Sequence, residues 1–455
     1  MNNLPKVLTK ITVGMAIALS ISQAPAIAAS LVRKNVIDLT SQEKSDFVDA
    51  IKTLKTIPGT NNNQVSIYDE IVAIHTGAMA FTPEQLGGRV TLPQDTPSTG
   101  PQAGVDAAHG NSAFLPWHRE YLSRFEKALQ SVNPNVTIPY WDWTDPRSVG
   151  VIFQPDFLGT NGSGQPREIP LRDELLEGGP LQSGNFSAAA GWNVIPDLHT
   201  NVVTGETLGS TVIRYLPPDS NPPEQQFPLD KAQIDRILQS EDYNRFRPSL
   251  EGLTFIDENG NEQVCQALPC SHNLVHALVG GGFIPQPPDS SESNPPTDQP
   301  PLEVVGTMNN VPGSPNDPVF WLHHSNVERL WAEWQNNSRP GSEFYPAPGT
   351  QPQGHDLNDR MWPWDGGAST PGSIGDIDIT PYLPLLPSDD IVKVSDTLNL
   401  NNYHYTYDTL VNKGPVTKVP ETNSTFALLS FGVLGAIYLR RRKRSVGAWE
   451  SVPKH

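Results

Sequence analysis

Histidines occur in this chain as two separated groups on or beside predicted helices, and this pattern constrains the fold more than any other feature. Two histidines four residues apart on a helix share one face and can bind one ion. A fold that uses both groups must therefore pack helices from distant parts of the chain against each other. The first half contributes His75, His109 and His118, and the second half contributes His272, His276 and the adjacent pair His323 and His324.

The body of the chain, residues 30–412, is predicted to be a helical core wrapped in long irregular connections. Thr40 followed by Glu43 is a capping-box pattern that starts a helix. Pro116 is predicted to open another helix, and Asp317 with Pro318 a further one, Asp as the N-cap and Pro as the first helical residue. The chain contains 45 prolines, which indicates long irregular connections. The predicted helices are the one that starts after Thr40 and residues 65–79, 116–130, 272–279 and 318–335, and the polar connections are residues 82–106, 144–225 and 284–301.

Composition bounds the class of protein. The chain has 455 residues and 37% hydrophobic residues, which suffices for a large buried core. Its formal net charge is −18, and a strongly acidic chain is a poor candidate for nucleic-acid binding. We therefore expect a globular protein with no nucleic-acid partner.

The two cysteines, Cys265 and Cys270, have four residues between them. A small disulfide loop is expected if the protein is exported, and two free thiols are the alternative. The pair could also bind a metal, although the chain has no second cysteine pair to complete a zinc site.

The N-terminus has the features of a secretory signal peptide. Lys6 and Lys10 precede an apolar run, residues 11–21, and residues 26–28 (Ala-Ile-Ala) form a small-residue cleavage site. We expect residues 1–28 to be removed. The body would then lie outside the cytoplasm, in the periplasm, on the cell surface or in the medium.

The C-terminal segment, residues 419–444, places a Pro-Glu pair before an apolar run and a cluster of arginines. This order resembles the bacterial PEP-CTERM sorting signal, which implies a sorting peptidase and a transient membrane contact. Thr422 departs from that motif, and residues 445–455 follow the basic cluster. A simple membrane anchor with its basic end in the cytoplasm is the alternative.

The donor set of the histidine pattern favours particular metals. Imidazoles suit copper, zinc, iron and nickel, and copper binds most tightly in the divalent series. Three neutral imidazoles leave coordination positions open on each ion. Reducing O₂ by two electrons needs two one-electron metals, which excludes zinc for that chemistry.

Four segments resemble the tyrosinases, a family of type 3 dicopper proteins that is grouped with catechol oxidases and hemocyanins. Residues 117–119 (Trp-His-Arg) resemble the first copper signature, and residues 317–324 resemble the second. Residues 139–143 and 405–408 are similar to two further sequence features of the family. The resemblance covers almost the whole of residues 30–412.

The resemblance implies a mainly α fold, a four-helix bundle around a dinuclear copper site, with long irregular loops and few short strands. It also implies that the second histidine of the adjacent pair binds copper, and that His323 has a packing or orienting role. The implied ligands of the two copper ions are His75, His109 and His118, and His272, His276 and His324.

The resemblance further implies residues beside the copper ions. Asn273 and Glu251 are candidates to hold a water that removes the phenol proton, although an insertion with both cysteines separates Glu251 from the second histidine group. Glu328 stands where the family usually has aspartate and is expected to orient a ligand or to pair with a cation. Phe114 and Phe320 are expected to form walls of the pocket.

The activity implied is oxidation of o-diphenols to o-quinones by O₂, with hydroxylation of monophenols as an addition. A catechol or o-aminophenol oxidase without monophenolase activity is the main alternative. A hemocyanin-like oxygen carrier is less favoured, because little chain remains after Asp376 to build a covering β domain. A non-catalytic metal protein is the last alternative.

Overall fold

The computed structural model describes residues 31–61, 65–81, 106–169, 174–201, 205–217, 226–265, 269–285, 302–339, 341–374 and 376–411. The expected leader (1–28), the expected C-terminal segment (419–444) and residues 286–301 lie outside these ranges. Among the described residues no helix is both long and apolar enough to cross a bilayer.

Helices form the centre of the described body, and four of them surround the histidines: α2, α3, α7 and α8 in chain order. The expected mainly helical class with a four-helix core and few short strands is confirmed. The helices are α1 (Ser41–Leu54), α2 (Ile67–Ala78), α3 (Phe114–Val132), α4 (Ser148–Ile152), α5 (Lys231–Leu238), α6 (Tyr243–Glu251), α7 (Ser271–Gly280), α8 (Val319–Asn336), α9 (Val394–Thr397) and α10 (Asp408–Val411).

Capping boxes start α1 and α2. Thr40 accepts a hydrogen bond from the backbone of Glu43, whose side chain accepts one from the backbone of Thr40, as the sequence predicts. Ser66 and Asp69 repeat the arrangement at the start of α2. Every residue of α2 after Ile67 is buried, so this helix lies inside the bundle and carries its histidine into the interior.

Helix α3 begins at Phe114, two residues before the predicted start at Pro116. Pro116 is tolerated there because the first turn of a helix has no backbone acceptor for its missing N–H. The α3 ring of Phe125 stacks on Trp321 of α8, with centroids 3.6 Å apart. The hydroxyl of Tyr121 donates to the carbonyl of Ile71 at 2.7 Å, which joins α3 to α2.

Helix α8 begins at Val319, one residue later than predicted, with Pro318 as its capping residue. The carboxylate of Asp317 still accepts the hydrogen bond of the Val319 N–H at 3.0 Å, so it satisfies the helix start as expected. Asp317 also pairs with Arg214 at 2.6 Å, and both side chains are fully buried. This ion pair fixes the entry of α8 to the long connection between residues 144 and 225.

The strands are short and form two-stranded pairs around the bundle. Residues 31–33 and 405–407 pair in parallel and bring the two ends of the described body together. The pairs are β1 (Leu31–Arg33) with β14 (Tyr405–Tyr407), β2 (Arg167–Ile169) with β3 (Glu174–Leu176), β4 (Gly179–Pro180) with β5 (Ile213–Arg214), β6 (Thr254–Ile256) with β7 (Glu262–Val264), β8 (Phe283–Pro285) with β9 (Leu302–Val304), β10 (Arg360–Asp365) with β13 (Ile391–Lys393), and β11 (Ser373–Ile374) with β12 (Ile377–Asp378).

The insertion before α7 forms the β6–β7 hairpin and ends in a disulfide between Cys265 and Cys270. The disulfide expected from the sequence is therefore confirmed, and neither cysteine is a free thiol or a metal ligand.

Candidate metal centre

Three histidines of the second group converge on one point. The Nε2 atoms of His272 and His276 are 3.1 Å apart. Those of His272 and His324 are also 3.1 Å apart, and those of His276 and His324 are 3.2 Å apart. Helix α7 supplies two of these atoms from one face, as the four-residue spacing predicts, and α8 supplies the third.

The three histidines of the first group also come together. His75 projects from α2, His118 from the first turns of α3, and His109 from the loop that leads into α3. Their nearest ring nitrogens all lie within 4.8 Å of one another. The first group is thus formed by two helices and an irregular loop from different parts of the sequence.

The two groups are in contact. The rings of His118 and His324 lie almost parallel with centroids 4.5 Å apart. Phe320 packs against His75 at 5.1 Å and against His324 at 4.0 Å. Two ions held by the two groups would therefore be neighbours.

Phe114 also contacts both histidine groups. Its ring packs against His118 at 4.8 Å and against His272 at 5.0 Å. Phe114 and Phe320 are both fully buried. The two rings lie against histidines of both groups, and their role as walls of a substrate pocket stays a prediction.

Backbone carbonyls orient most of the rings. A carbonyl oxygen can only accept, so the Nδ1 atom that contacts it must carry the proton, and Nε2 is left as a bare lone pair directed at the centre. Ligating histidines are ordinarily held in this way. The pairs are His75 with Pro312 at 3.1 Å, His118 with Phe114 at 2.8 Å, His272 with Glu251 at 3.1 Å and His276 with Met308 at 2.6 Å.

His109 is oriented by a carboxylate. Its Nδ1 lies 3.0 Å from one oxygen of Asp106 and 3.1 Å from the other. One of these oxygens also accepts the backbone N–H groups of Ala108 and His109. Asp106 therefore fixes both the loop and the ring that the loop carries.

Burial keeps most of these imidazoles neutral. It lowers the pKa of His75, His118, His272 and His324 well below the usual value, and that of His276 to about 4. For His109, burial also opposes the charged form, yet the charge of Asp106 raises the pKa above the usual value. Neutral imidazoles are the form that binds a metal ion.

The arrangement fits a pair of metal ions. The buried Nε2 atoms of His75 and His118 have no hydrogen-bond partner among the described residues. Unpartnered buried nitrogens are costly in an apolar interior, and lone pairs that face each other at about 3 Å repel unless a cation lies between them. An all-imidazole donor set suits copper, so the residues present fit two copper ions.

His323 lies beside the second group, and one of its ring nitrogens is within 4.8 Å of those of His272, His276 and His324. Its ring is fully buried and stacks on His272 with centroids 4.7 Å apart and an angle of 9°. Its neighbour His324 supplies the nitrogen that closes the tighter triangle with His272 and His276. The packing or orienting role of His323 stays a prediction.

Glu251 and Asn273 both contact His272. The carbonyl of Glu251 and the Oδ1 atom of Asn273 accept from its Nδ1, at 3.1 and 2.9 Å. The carboxylate of Glu251 accepts the N–H of Gly110 at 2.7 Å and pairs with Arg247 at 2.6 Å. Glu251 lies at the site because the cysteine-containing insertion folds as a hairpin, so that the residues on its two sides, Glu251 and His272, are in contact.

Glu328 does not orient a histidine. Its carboxylate is buried and pairs with Arg119 of α3 at 2.6 Å. The Nδ1 atom of His324 has no hydrogen-bond partner among the described residues. Of the two expectations for Glu328, the structure shows pairing with a cation, although the pair is buried rather than solvated.

Several contributors to the site were not expected from the sequence. Asp106 is one, although an aspartate three residues before a histidine in a loop is a recognisable signal for a local hydrogen bond. His355 is another: it accepts the N–H of Ala113 through Nδ1 at 3.0 Å, and its Nε2 lies 3.0 Å from the carbonyl of Asp106. No sequence signal marks the carbonyls of Met308 and Pro312, because every residue type has one.

Known proteins with similar sequences belong to one family. Residues 65–337 match the common central domain of tyrosinase. The tyrosinase of Streptomyces glaucescens is 35% identical over 73% of this chain and 92% of its own length, and that of Streptomyces antibioticus is 32% identical over 76% and 96%. Grixazone synthase of Streptomyces griseus is 30% identical over 73% of this chain and 93% of its own length. The chain therefore belongs to the tyrosinase family of copper-dependent oxidases.

Proposed function

We propose that the chain oxidises o-diphenols to o-quinones with O₂ at two copper ions, one held by His75, His109 and His118 and the other by His272, His276 and His324. The observation that carries the proposal is the convergence of three bare Nε2 atoms in the second group, in direct contact with a matching first group. When bound, the two copper ions supply the pair of one-electron redox centres that a two-electron reduction of O₂ requires.

The chain itself contributes orientation and a dry pocket. Carbonyls hold the ring protons of His75 and His118 on Nδ1, and Asp106 does the same for His109, so that Nε2 is the nitrogen left to face a metal ion. The buried rings of Phe114 and Phe320 exclude water between the two groups and offer apolar faces. Such faces suit the ring of a phenol.

The proposal is tested with copper-loaded protein and catechol, tyrosine or o-aminophenol, while O₂ uptake and quinone colour are followed. We expect O₂ uptake with catechol, and its loss by about a hundredfold or more in His118→Ala, because loss of a group that only orients a metal ligand already costs ten- to a hundredfold and this change removes a proposed ligand itself. His404→Gln, at an exposed histidine, is the matched control and should retain activity.

The same assay separates the alternatives. O₂ binding without uptake on adding catechol would support an oxygen carrier and contradict the proposal. Uptake with catechol or o-aminophenol and none with tyrosine would place the chain among oxidases without monophenolase activity.

For monophenols, we propose that Asn273 and Glu251 hold the water that accepts the phenol proton. The position beside His272 supports the assignment, since the Oδ1 atom of Asn273 and the backbone carbonyl of Glu251 both accept from this ring. The carboxylate of Glu251 accepts from Gly110 and Arg247, yet a carboxylate has about four acceptor positions, which leaves capacity for a water.

Asn273→Ala and Glu251→Gln, made separately, test this role. We expect each to slow the hydroxylation of tyrosine at least tenfold while catechol oxidation falls much less, because only the monophenol needs the proton removed by a held water. Unchanged tyrosine turnover in both variants would overturn the assignment.

We propose further that the protein is exported, with residues 1–28 removed and residues 419–444 acting as a sorting signal. The Cys265–Cys270 disulfide supports export, because disulfides persist in oxidising compartments. Intact mass of the protein from its native cell tests both claims. Processing near Ala28 and near Pro420 is expected, and a mature chain that retains residues 1–28 or 424–444 would contradict the corresponding part.

A further inference from the structure

The disulfide lies where two parts of the metal centre meet. Helix α6 ends at Glu251, and α7 begins at Ser271, directly before His272. The intervening insertion carries the β6–β7 hairpin and both cysteines. Residues on its two sides nevertheless touch, because the carbonyl of Glu251 accepts from the ring of His272. The geometry of this contact depends on how the insertion is closed.

Backbone contacts close the base of the insertion tightly. The N–H of Cys270 donates to the carbonyl of Gly252 at 3.2 Å, and the N–H of Cys265 donates to the carbonyl of Leu253 at 3.1 Å. Gly252 has a φ of +98°, and a Cβ added there would lie 1.9 Å from the carbonyl oxygen of Cys270. The end of α6 and the start of α7 are thus packed backbone against backbone.

The start of α7 lacks the usual local support. Cys270 occupies the N-cap position, where Ser, Thr, Asp or Asn would accept a backbone N–H, and its side chain makes no capping hydrogen bond. Ser271, the next residue, has a φ of +42°, which is unfavourable for a residue with a Cβ. A conformation of this kind persists only when its surroundings hold it. At the adjacent residue, Cys270, two constraints act: the covalent bond to Cys265 and the backbone hydrogen bond to Gly252.

We propose that the Cys265–Cys270 disulfide is a positioning device for the second metal site: it holds the first turn of α7 so that His272 meets Glu251 and directs its Nε2 atom at those of His276 and His324. This inference rests on the proposed assignment of these three histidines to one copper ion. The first histidine group receives no residue from α7, so we expect the disulfide to act mainly on the second site.

Copper titration of the full mature body tests the proposal. Wild type, Cys265→Ala/Cys270→Ala and Cys265→Ser/Cys270→Ser are titrated against a competing copper chelator, and metal content per chain is measured together with the circular dichroism spectrum. Both double variants are expected to bind one of the two ions about tenfold or more weakly and the other as in wild type, since lost support of a ligating histidine has effects of ten- to a hundredfold.

The serine variant separates the tether from helix capping. A serine at position 270 can cap α7 through its hydroxyl but cannot replace the covalent bond. Wild-type affinity in the serine variant alone would assign the effect to capping and overturn the proposal. Wild-type affinity at both sites in both variants, or equal weakening of both sites, would also overturn it.

A second measurement covers variants that fail to fold. Metal-free wild-type protein is reduced, alkylated with iodoacetamide, freed of reagents and titrated in the same way. Selective weakening of one site is again expected, and unchanged binding contradicts the proposal. Wild-type protein that never binds two copper ions would instead overturn the proposed function, so the two failures are distinguishable.

Discussion

At the scale of single residues, most of the ligand rings are oriented by the atoms that accept a hydrogen bond from Nδ1, the ring nitrogen that faces away from the metal centre. His75, His118 and His276 donate to carbonyls, whereas His109 alone among the six donates to a carboxylate. A carboxylate adds charge, and so raises the basicity of the ring it contacts. His109 also projects from a loop, where no helix restrains it. Asp106 therefore supplies both restraint and charge at the least regular of the ligand positions.

Asp106→Asn tests this role. The amide keeps the size of the side chain but loses its charge, and we expect copper affinity at the first site to fall by about ten- to a hundredfold. Competition with a chelator measures the change. Asp378→Asn is the matched control, because Asp378 is an exposed aspartate that accepts a backbone N–H two residues on in the same manner. Equal affinities in wild type and Asp106→Asn would contradict the prediction.

A buried histidine outside the site, His199, is expected to make stability depend on pH. His199 donates to the carbonyl of Gly209 and contacts the hydroxyl of Thr307. Burial lowers its pKa to about 4. The unfolded chain binds a proton near pH 6.5, whereas the folded chain does not, so the stability contributed by the neutral ring is present above pH 6.5 and is lost as the pH falls towards 4.

We therefore expect the free energy of unfolding of metal-free protein to fall more steeply between pH 7 and pH 4 in wild type than in His199→Asn. The difference should be on the order of 3 kcal/mol, from the shift in pKa. Urea denaturation at a series of pH values measures it, and identical slopes for the two proteins would refute the assignment.

At the scale of elements, the residues at which helices begin could be predicted more accurately than the contacts that one element makes with another. The Thr40–Glu43 capping box occurs as expected, and Asp317 satisfies the start of α8 although the helix begins one residue late. These features depend on hydrogen bonds within four residues, which a sequence displays directly. The four-residue spacing of His272 and His276 likewise predicted their shared face.

Contacts between elements were harder to predict. Glu328 pairs with Arg119 and makes no hydrogen bond with His324. Which of the two it reaches depends on the length of its side chain, one methylene longer than aspartate, and on the distance between α3 and α8. Glu251 lies beside His272 because the insertion between them folds as a hairpin whose two ends meet. The length of the insertion does not predict where its ends lie. Neither contact can be predicted from residues that are neighbours in the sequence.

A buried ion pair between Arg119 and Glu328 joins α3 to α8, and Arg33 lies 3.6 Å from the same carboxylate. Glu328→Gln removes the charge and leaves the guanidinium of Arg119 in an apolar interior without its counter-ion. We expect a loss of about 3 kcal/mol in the free energy of unfolding, in the range for buried pairs that lose one partner. Lys231→Ala, which breaks the exposed Lys231–Asp235 pair, is the control and should change stability little.

Denaturation of both variants in urea, with and without copper, measures these effects. A Glu328→Gln protein as stable as the Lys231→Ala protein would show that the pair between the two helices contributes nothing.

At the scale of the whole molecule, the first and last strands of the described body are linked by a buried arginine, Arg33. Arg33 of β1 donates to both oxygens of Glu126 in α3, at 3.0 and 3.2 Å, and to the hydroxyl of Tyr407 at 3.0 Å. Its guanidinium lies over the ring of Tyr405 at 3.5 Å. The hydroxyl of Tyr407 in turn donates to the carbonyl of Ser325, the residue after His324. The first and last strands therefore support the helix that carries part of the metal centre.

Arg33→Leu is expected to destabilise the whole body by about 3 to 5 kcal/mol, because Glu126 would remain buried without its partner. Lys34→Ala, at the half-exposed neighbouring position, should have little effect. Tryptophan fluorescence and circular dichroism should show the same shifted transition in urea. A transition unchanged in Arg33→Leu would contradict the prediction.

The parallel pairing of β1 with β14 also means that the covalent order of the elements is open to rearrangement. Leu31 lies opposite Tyr405 and Arg33 opposite Tyr407, so residue 411 follows the end of β14 that lies beside Arg33, and a connection to residue 31 must run back along the strand, about 7 Å for two residues. A glycine–serine linker of roughly twelve residues has the reach for this return, so residue 411 can be connected to residue 31 and new ends opened at the exposed Asn259–Gly260 turn. A circularly permuted chain of this design that still binds two metal ions would show that packing, rather than the order of synthesis, assembles the six imidazoles.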